Sequence, residues 1–137
     1  MNKDILKAKD ILTDGYTCVL VKDDVIYTSK ETGIMPMMNF IGKNTDLNGF
    51  SVADKIVGKA VAMLFVFAGI KEVFTDVLST SALDVLTKNN IKVSYNILTE
   101  KIINRLKTGI CPMEIAVSNT DSPSEAYQIL KQKISKK

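Results

Sequence analysis

Residues 72–97 read EVFTDVLSTSALDVLTKNNIKVSYNI, and this stretch decides the class of fold. Two β-prone runs, 72–78 and 91–97, enclose a segment at 79–89 whose apolar residues follow a helical spacing. Because the connection is long enough to cross over a sheet, the pattern predicts two parallel strands joined by a helix. Such a unit is typical of α/β proteins.

The beginning of the chain predicts a helix and a hairpin. Asn2 caps a predicted first helix that ends near Gly15. The β-prone runs 16–21 and 25–29 flank the polar turn 22–24, which is typical of a tight antiparallel hairpin. The first run is apolar enough to be a central strand.

Two further helices are predicted before residue 72. Pro36 lies in the first turn of a short helix within the Met-rich segment 33–42, whose methionines we expect to pack in the core. Ser51 or Asp54 is predicted to cap a long, buried helix that ends at Gly69. The combined pattern predicts a single domain over 1–137 with a mixed sheet: an antiparallel edge hairpin and parallel inner strands, in the order 2-1-3-4.

The C-terminal part of the chain predicts three short elements and a basic tail. A short helix over 99–106 is one prediction. Pro112 then starts a helix after Cys111, although a strand at 115–117 is an alternative. The last helix begins with a capping box at Ser122 and runs into the Lys-rich tail 131–137.

The composition excludes several kinds of site. The 137 residues include two Cys and no His. Nucleophiles that depend on a His base and His-ligated metals are therefore excluded. Two Cys are also too few for a Cys-rich zinc or iron–sulfur centre within one chain.

The charge pattern bears on partners and compartment. The net charge is +3, but four of the 18 basic residues lie in the tail, so the rest of the chain is nearly neutral. There is no basic face with interleaved aromatic residues, which argues against nucleic-acid binding. The longest uncharged run, 60–70, is too short to span a bilayer, and no signal peptide precedes it. We expect a soluble cytoplasmic protein with reduced thiols and no membrane partner.

The segment 104–114, NRLKTGICPME, is the densest in candidate functional residues. If Cys111 caps a helix, the helix dipole and the nearby Arg105 favour its thiolate form. Glu114 opposes this effect and is an alternative capping-box residue. A purely structural cap in a tight turn is the competing interpretation. Since no His is present to act as a base, contact with a ligand is favoured over nucleophilic catalysis.

A second candidate region lies at predicted helix starts. Thr80 and Ser81 follow a strand and open a helix, where hydroxyl and backbone N–H groups can hold a phosphate or carboxylate. Asp54 and Lys55 would present a similar end. Ligands of open α/β sheets gather beside the carboxyl ends of strands, so both ends could face one pocket. Plain N-capping is the alternative.

The motifs DKIVGKA at 54–60, NR at 104–105 and CPME at 111–114 carry a family resemblance. They resemble a small bacterial and archaeal family of unknown function in the cytidine-deaminase-like superfamily, and the resemblance covers nearly the whole chain. It implies a three-layer α/β/α sandwich with a pocket at two helix starts.

The sequence departs from that superfamily at the metal site. Deaminases of this kind use His-x-Glu or Cys-x-Glu and Pro-Cys-x-x-Cys motifs, expected by element order near 53–55 and 80–84. Neither place has a His or Cys, and Lys55 stands about where the proton-shuttling Glu would be. Oxygen ligands from Asp54, Ser81 and Asp84 would make a poor zinc site.

We therefore expect a non-zinc, deaminase-like protein that binds a small nucleotide-related or anionic ligand and needs no cofactor. The expected ligand-binding residues are Asp54, Lys55, Thr80, Ser81, Asn104, Arg105 and Glu114. One alternative is an enzyme that uses Cys111 as a nucleophile or redox thiol. Another is a structural module that forms a homodimer through an exposed apolar patch at 35–40.

Overall fold

The computed structural model describes residues 2–102 and 111–135. These residues form five strands and six helices. Their order along the chain is α1 (Lys3–Leu12), β1 (Cys18–Lys22), β2 (Val25–Ser29), α2 (Met35–Gly42), β3 (Ser51–Val57), α3 (Lys59–Ala68), β4 (Glu72–Ser79), α4 (Thr80–Lys88), β5 (Lys92–Thr99), α5 (Pro112–Ala116) and α6 (Pro123–Ser135).

The strands form one mixed sheet in the order β2-β1-β3-β4-β5. Strand β1 is antiparallel to both β2 and β3, whereas β3, β4 and β5 are parallel. The predicted α/β class, the edge hairpin, the parallel inner strands and the relative order of the four predicted strands are all confirmed. The sheet has one strand more than the sequence predicted, because β3 lies between β1 and β4.

Strand β3 corrects the prediction of a helix capped by Ser51 or Asp54. Residues 51–57 form a strand, and helix α3 begins only at Lys59, directly after Gly58. The first four residues of β3 are buried between its two neighbours. Ser and Asp are common helix-capping residues, and for this reason Ser51 and Asp54 of this central strand were interpreted as helix caps. The predicted end of the helix at Gly69 is confirmed, with the left-handed φ of +82° that favours glycine.

Helices cover both faces of the sheet, giving three layers. Helix α1 lies on one face and buries Ile5, Ala8 and Leu12 against side chains of β1, β3 and β4. The larger core lies on the other face, where α3 is the central helix and contacts α2, α4 and α6. Since α3 is apolar on nearly all sides after Lys59, it is buried as predicted.

Of the remaining local predictions, some are confirmed and others are wrong. Met37 and Met38 pack in the core as expected, and for that reason segment 35–40 is not an exposed apolar patch. Residues 112–116 are helical, so the alternative strand at 115–117 is wrong. The Ser122 hydroxyl caps α6 by accepting the Glu125 N–H at 3.3 Å.

The helix predicted over 99–106 and the basic tail 131–137 are only partly covered by the described residues. Thr99 ends β5, and the rest of the helix predicted over 99–106 lies largely outside them. Helix α6 continues through Ser135, so the first part of the basic tail is helical. Within residues 2–102 and 111–135, no helix is both long and apolar enough to cross a membrane.

Candidate functional site

A crevice of about 280 Å³ opens at the carboxyl end of the parallel strands. Helices α3 and α4 both begin there, because each follows its strand almost directly. The residues that line the crevice are Lys59, Ser81, Glu100, Lys101, Ile102, Glu114 and Ser118. A smaller cavity of about 70 Å³ shares Lys59 and Ser81 and adds residues of α4. This is the edge at which open α/β sheets bind ligands.

A larger depression of about 990 Å³ lies at the other end of the sheet. It is lined by the start of α1 and the turn of the hairpin. Asn2 anchors this region, since its side-chain amide donates to Glu72 Oε1 at 2.8 Å, at the beginning of β4. The amino ends of the parallel strands are not the usual place for a ligand, so the crevice is the better candidate.

The carboxylate of Glu114 is bound at the N-terminus of α3. The backbone N–H of Lys59 donates to Oε1 at 2.7 Å, and the N–H of Ala60 donates to Oε2 at 2.7 Å. Glu114 thus satisfies two N–H groups that have no partner within α3, and its charge faces the positive end of the helix. Glu114 does not form a capping box for its own helix α5, which corrects that alternative.

Gly58 provides the space for this carboxylate. A Cβ atom at residue 58 would lie 2.6 Å from Glu114 Cδ and 2.8 Å from Ile102 Cγ1. The φ of Gly58 is −103°, a value open to any residue, so the requirement is one of space alone. The absent side chain lets a carboxylate from α5 reach the backbone of α3.

The Lys59 side chain joins the start of α3 to the segment between α5 and α6. Its ammonium donates to the carbonyl oxygen of Ser118 at 3.2 Å and lies 3.9 Å from Asp121 Oδ1, while the side chain is only 14% exposed. Sequence reasoning missed Lys59, because Gly58-Lys59 lacks the upstream glycines of a phosphate-binding loop. It also missed the exposed Lys101, which follows β5.

The start of α4 divides its hydroxyl groups between two roles. Ser79 is the N-cap, and its hydroxyl accepts the Ala82 N–H at 3.1 Å. The exposed Ser81 lies in the crevice, with its hydroxyl oxygen 3.3 Å from that of Ser79. The hydroxyl of Thr80 donates to the carbonyl oxygen of Glu100 at 3.5 Å. Ser79 therefore caps α4, whereas Ser81 lines the crevice.

Asp54 lies in the core next to Cys18 rather than in the crevice. The two residues are paired across β1 and β3, and Asp54 is only 6% exposed. Its Oδ1 accepts the Ile56 N–H at 3.3 Å, whereas Oδ2 has no hydrogen-bond partner among the described residues. Burial raises the pKa of Asp54 to about 7, although hydrogen bonds oppose the shift. Burial also raises the pKa of Cys18, and the Asp54 carboxylate adds to that effect.

Lys55 lies neither in the crevice nor in the core beside Asp54. It is exposed and lines a separate depression of about 260 Å³, together with Lys9 and Thr13 near the end of α1 and with Asp76 and Asn96. The structure thus separates Asp54 and Lys55 from Ser81, because they lie on a strand and not at a helix start.

Cys111 lies beside the crevice at the start of α5. It is half-buried, its N–H donates to the Ile102 carbonyl oxygen at 3.1 Å, and its own carbonyl accepts the Glu114 N–H at 3.0 Å. Cys18 and Cys111 are both free thiols. Asn104 and Arg105, which were predicted to bind ligand, lie outside the described residues.

The residues at the two helix starts do not fit a zinc ion. Helix α3 begins at Lys59 and α4 at Thr80, and neither start contains a His or Cys. The Glu114 carboxylate is already held by two backbone N–H groups. Within the part of the chain that the structure describes, no three His, Cys, Asp or Glu side chains are grouped so that they could hold a metal.

Comparison with known proteins identifies the family. No curated protein matches the chain. A diaminohydroxyphosphoribosylaminopyrimidine deaminase/5-amino-6-(5-phosphoribosylamino)uracil reductase from Thermotoga maritima gives a TM-score of 0.44 at 16% identity, over 68% of this chain and 35% of that one. The crystal structure of a DUF1893 family protein (TM1506) from Thermotoga maritima gives a TM-score of 0.86 at 26% identity, over 97% of this chain and 92% of that one. The family model TM1506, domain of unknown function (DUF1893), matches residues 7–134, and the chain belongs to this family.

Proposed function

We propose that this protein binds a small anionic ligand in the crevice between the starts of α3 and α4. The observation that carries the proposal is the Glu114 carboxylate, held by the N–H groups of Lys59 and Ala60 at 2.7 Å. This end of the sheet stabilises a negative charge through backbone groups, as helix N-termini do for phosphates and carboxylates. A ligand anion would bind beside Glu114 at the start of α4.

The charges of the crevice support an anion. The charge of Glu114 is compensated by the backbone of α3, and the ammonium of Lys59 already contacts the Ser118 carbonyl oxygen and Asp121. The exposed Lys101 therefore supplies the positive charge that an anion in the crevice would meet. The hydroxyl of Ser81 adds a neutral donor that can orient a phosphate or carboxylate group.

The volume of the crevice limits the size of the ligand. About 280 Å³ is near the lower end of the range for small-molecule pockets. A metabolite of the size of a sugar phosphate fits this volume better than an intact nucleotide. The resemblance to cytidine-deaminase-like proteins supports a nucleotide-related compound, so a ribose phosphate is the compound class that satisfies both arguments.

The proposal concerns binding and includes no reaction. Asp54, the one group among the described residues whose pKa is raised into the neutral range, lies in the core away from the crevice. A nucleophilic or redox role of Cys111 stays a prediction, because Arg105 lies outside the described residues.

Thermal unfolding in the presence of inorganic phosphate, ribose 5-phosphate and a nucleoside monophosphate tests the proposal. A ligand that binds the folded state raises the melting temperature with increasing concentration. We expect ribose 5-phosphate to give the largest rise. Lys101→Ala should abolish the rise, since Lys101 is exposed and its replacement removes a charge from the crevice without disturbing the core.

Lys55→Ala is the matched control, because Lys55 is also exposed but lines the separate depression near α1. This variant should keep the full rise. A rise that is lost in Lys55→Ala and kept in Lys101→Ala would place the ligand in the other depression. If none of the three compounds raises the melting temperature of the wild-type protein, the proposal is wrong.

A further inference from the structure

Strand β5 forms an edge of the sheet that is unusually apolar. Its outer side is unpaired by any other strand of the described residues. Residues 93–99, VSYNILT, contain neither a charge nor a proline. Tyr95, Ile97 and Leu98 are 39%, 58% and 43% exposed. Edge strands of monomeric proteins usually carry charges, prolines or bulges that prevent pairing with another chain. Residues 93–99 carry neither charges nor prolines.

We propose that two copies of this chain associate through β5, which pairs antiparallel with its own counterpart around a two-fold axis at Asn96. Such pairing is isologous, so the same groups are used twice and the assembly closes as a dimer. The backbone groups on the open side of β5 then obtain hydrogen-bond partners.

The charges at the two ends of β5 select this register. With Asn96 opposite its own counterpart, Lys92 of each copy lies opposite Glu100 of the other. Both side chains are exposed in the single chain, so they are available for ion pairs. A shift of the two-fold axis by one residue in either direction would lose both ion pairs.

The same register matches the apolar side chains. Tyr95 of one copy lies opposite Ile97 of the other, on both sides of the axis. Pairs of aromatic and β-branched residues are among the favourable cross-strand combinations. Within each copy, Ile97 also continues a row that includes Val77 and Ile56, which are paired in register across β4 and β3. The exposed edge is therefore part of a wider apolar surface.

The other edge of the sheet, β2, fits a second copy less well. It has five residues, whereas β5 has eight. Pairing of β2 with its counterpart around Tyr27 would place Asp24 opposite Lys30, but it would also place Asp23 opposite Glu31. Like charges in opposite positions destabilise strand pairs.

Sedimentation velocity over a range of protein concentrations tests the dimer. Because pairing of one strand buries less surface than a standard interface, we expect a monomer–dimer equilibrium that shifts with concentration. Ile97→Lys should give a monomer at all concentrations, since it places two like charges next to the axis. Ile115→Lys is the matched control: Ile115 is 59% exposed but lies on α5, and this variant should still dimerise.

Charge reversal tests the register. Lys92→Glu and Glu100→Lys should each raise the dissociation constant about tenfold, because each replaces two ion pairs by two like-charge pairs. The double variant should restore dimerisation. Far-UV circular dichroism of each variant shows whether the fold is retained.

Three results would overturn the proposal: a wild-type monomer at every concentration, a dimer that tolerates Ile97→Lys, or a dimer that is lost in Val25→Lys on β2. A dimer that is weakened by both single charge variants and not restored in the double variant would reject the register around Asn96.

Discussion

At the scale of single residues, Asp54 is the side chain whose environment differs most from what its type suggests. In the sequence it resembles a helix cap or a ligand contact, but the structure buries it beside Cys18 in a central strand. A residue's burial depends on which strands flank it, and local sequence does not contain that information. Its titration makes this placement testable.

We predict that the free energy of unfolding falls as the pH rises from 5 to 8.5. The pKa of Asp54 is about 7 in the folded protein and about 3.8 for an unburied carboxyl group, so the folded state binds the proton more tightly. The stabilisation from this group is complete below pH 4 and is lost as the pH rises through 7. The expected loss between pH 5 and 8.5 is about 3 kcal/mol.

Asp54→Asn should remove this dependence, because the amide keeps an acceptor for the Ile56 N–H and carries no charge. Urea unfolding at several pH values measures the effect. At pH 8.5 the variant should be more stable than the wild-type protein. Asp24→Asn, at the exposed hairpin turn, is the control that should leave the pH profile unchanged. A wild-type protein that becomes more stable above pH 7 would contradict the assignment.

At the scale of elements, the sequence predicted those whose signals are local. The caps of α1 and α6, the turn of the hairpin and the left-handed Gly69 were all recognisable within a few residues. Strand β3 was missed because its first four residues are all buried and the next two, Lys55 and Ile56, are both exposed, so the strand shows no alternation. Only Gly58 separates it from α3, so the two apolar segments looked like one helix.

The attachment of α5 to α3 could not be predicted, because it joins residues far apart in the chain. Glu114 and Lys59 are 55 positions apart, and nothing near either residue indicates the pair. Helix α5 has five residues, none of them fully buried; the Glu114 carboxylate attaches it to α3, and Met113 packs against the core.

We predict that Gly58→Ala destabilises the protein by about 1–3 kcal/mol, the usual cost of overpacking. The added Cβ would meet Glu114 Cδ at 2.6 Å and displace the carboxylate from the N–H groups of α3. Glu114→Ala alone should cost about 1 kcal/mol, as loss of a helix cap does. Urea unfolding of both variants measures these costs.

The double variant separates the carboxylate contact from the rest of the clash. With Glu114 shortened to Ala, the added methyl group at residue 58 no longer meets a carboxylate, although Ile102 Cγ1 remains 2.8 Å away. The cost of Gly58→Ala should therefore be smaller in the Glu114→Ala background. Equal costs in both backgrounds would mean that the carboxylate does not occupy the space above Gly58.

At the scale of the whole molecule, the candidate crevice is assembled from segments that the sequence could not bring together. Lys59, Ser81 and Glu114 belong to three helices and converge where the parallel strands end. The sequence indicated the importance of helix starts and of Glu114. It placed the cap of α3 at Ser51 or Asp54 instead of Gly58, and this error moved part of the predicted pocket to Asp54 and Lys55.

The composition of the chain also predicts that the protein does not bind zinc tightly. The sequence has no His, Cys18 is buried in β1, and Cys111 lies just before α5. The starts of α3 and α4 offer a lysine, hydroxyl groups and an already bound carboxylate, a poor set of ligands for zinc.

We therefore predict that the protein purified in the presence of zinc and then desalted retains no stoichiometric metal in elemental analysis. A chelator should leave its melting temperature unchanged, since a metal that bound the folded state would stabilise it. Retention of one zinc per chain, with a melting temperature that falls on chelation, would contradict this prediction. Loss of that zinc in Cys111→Ser would then place the metal at the start of α5.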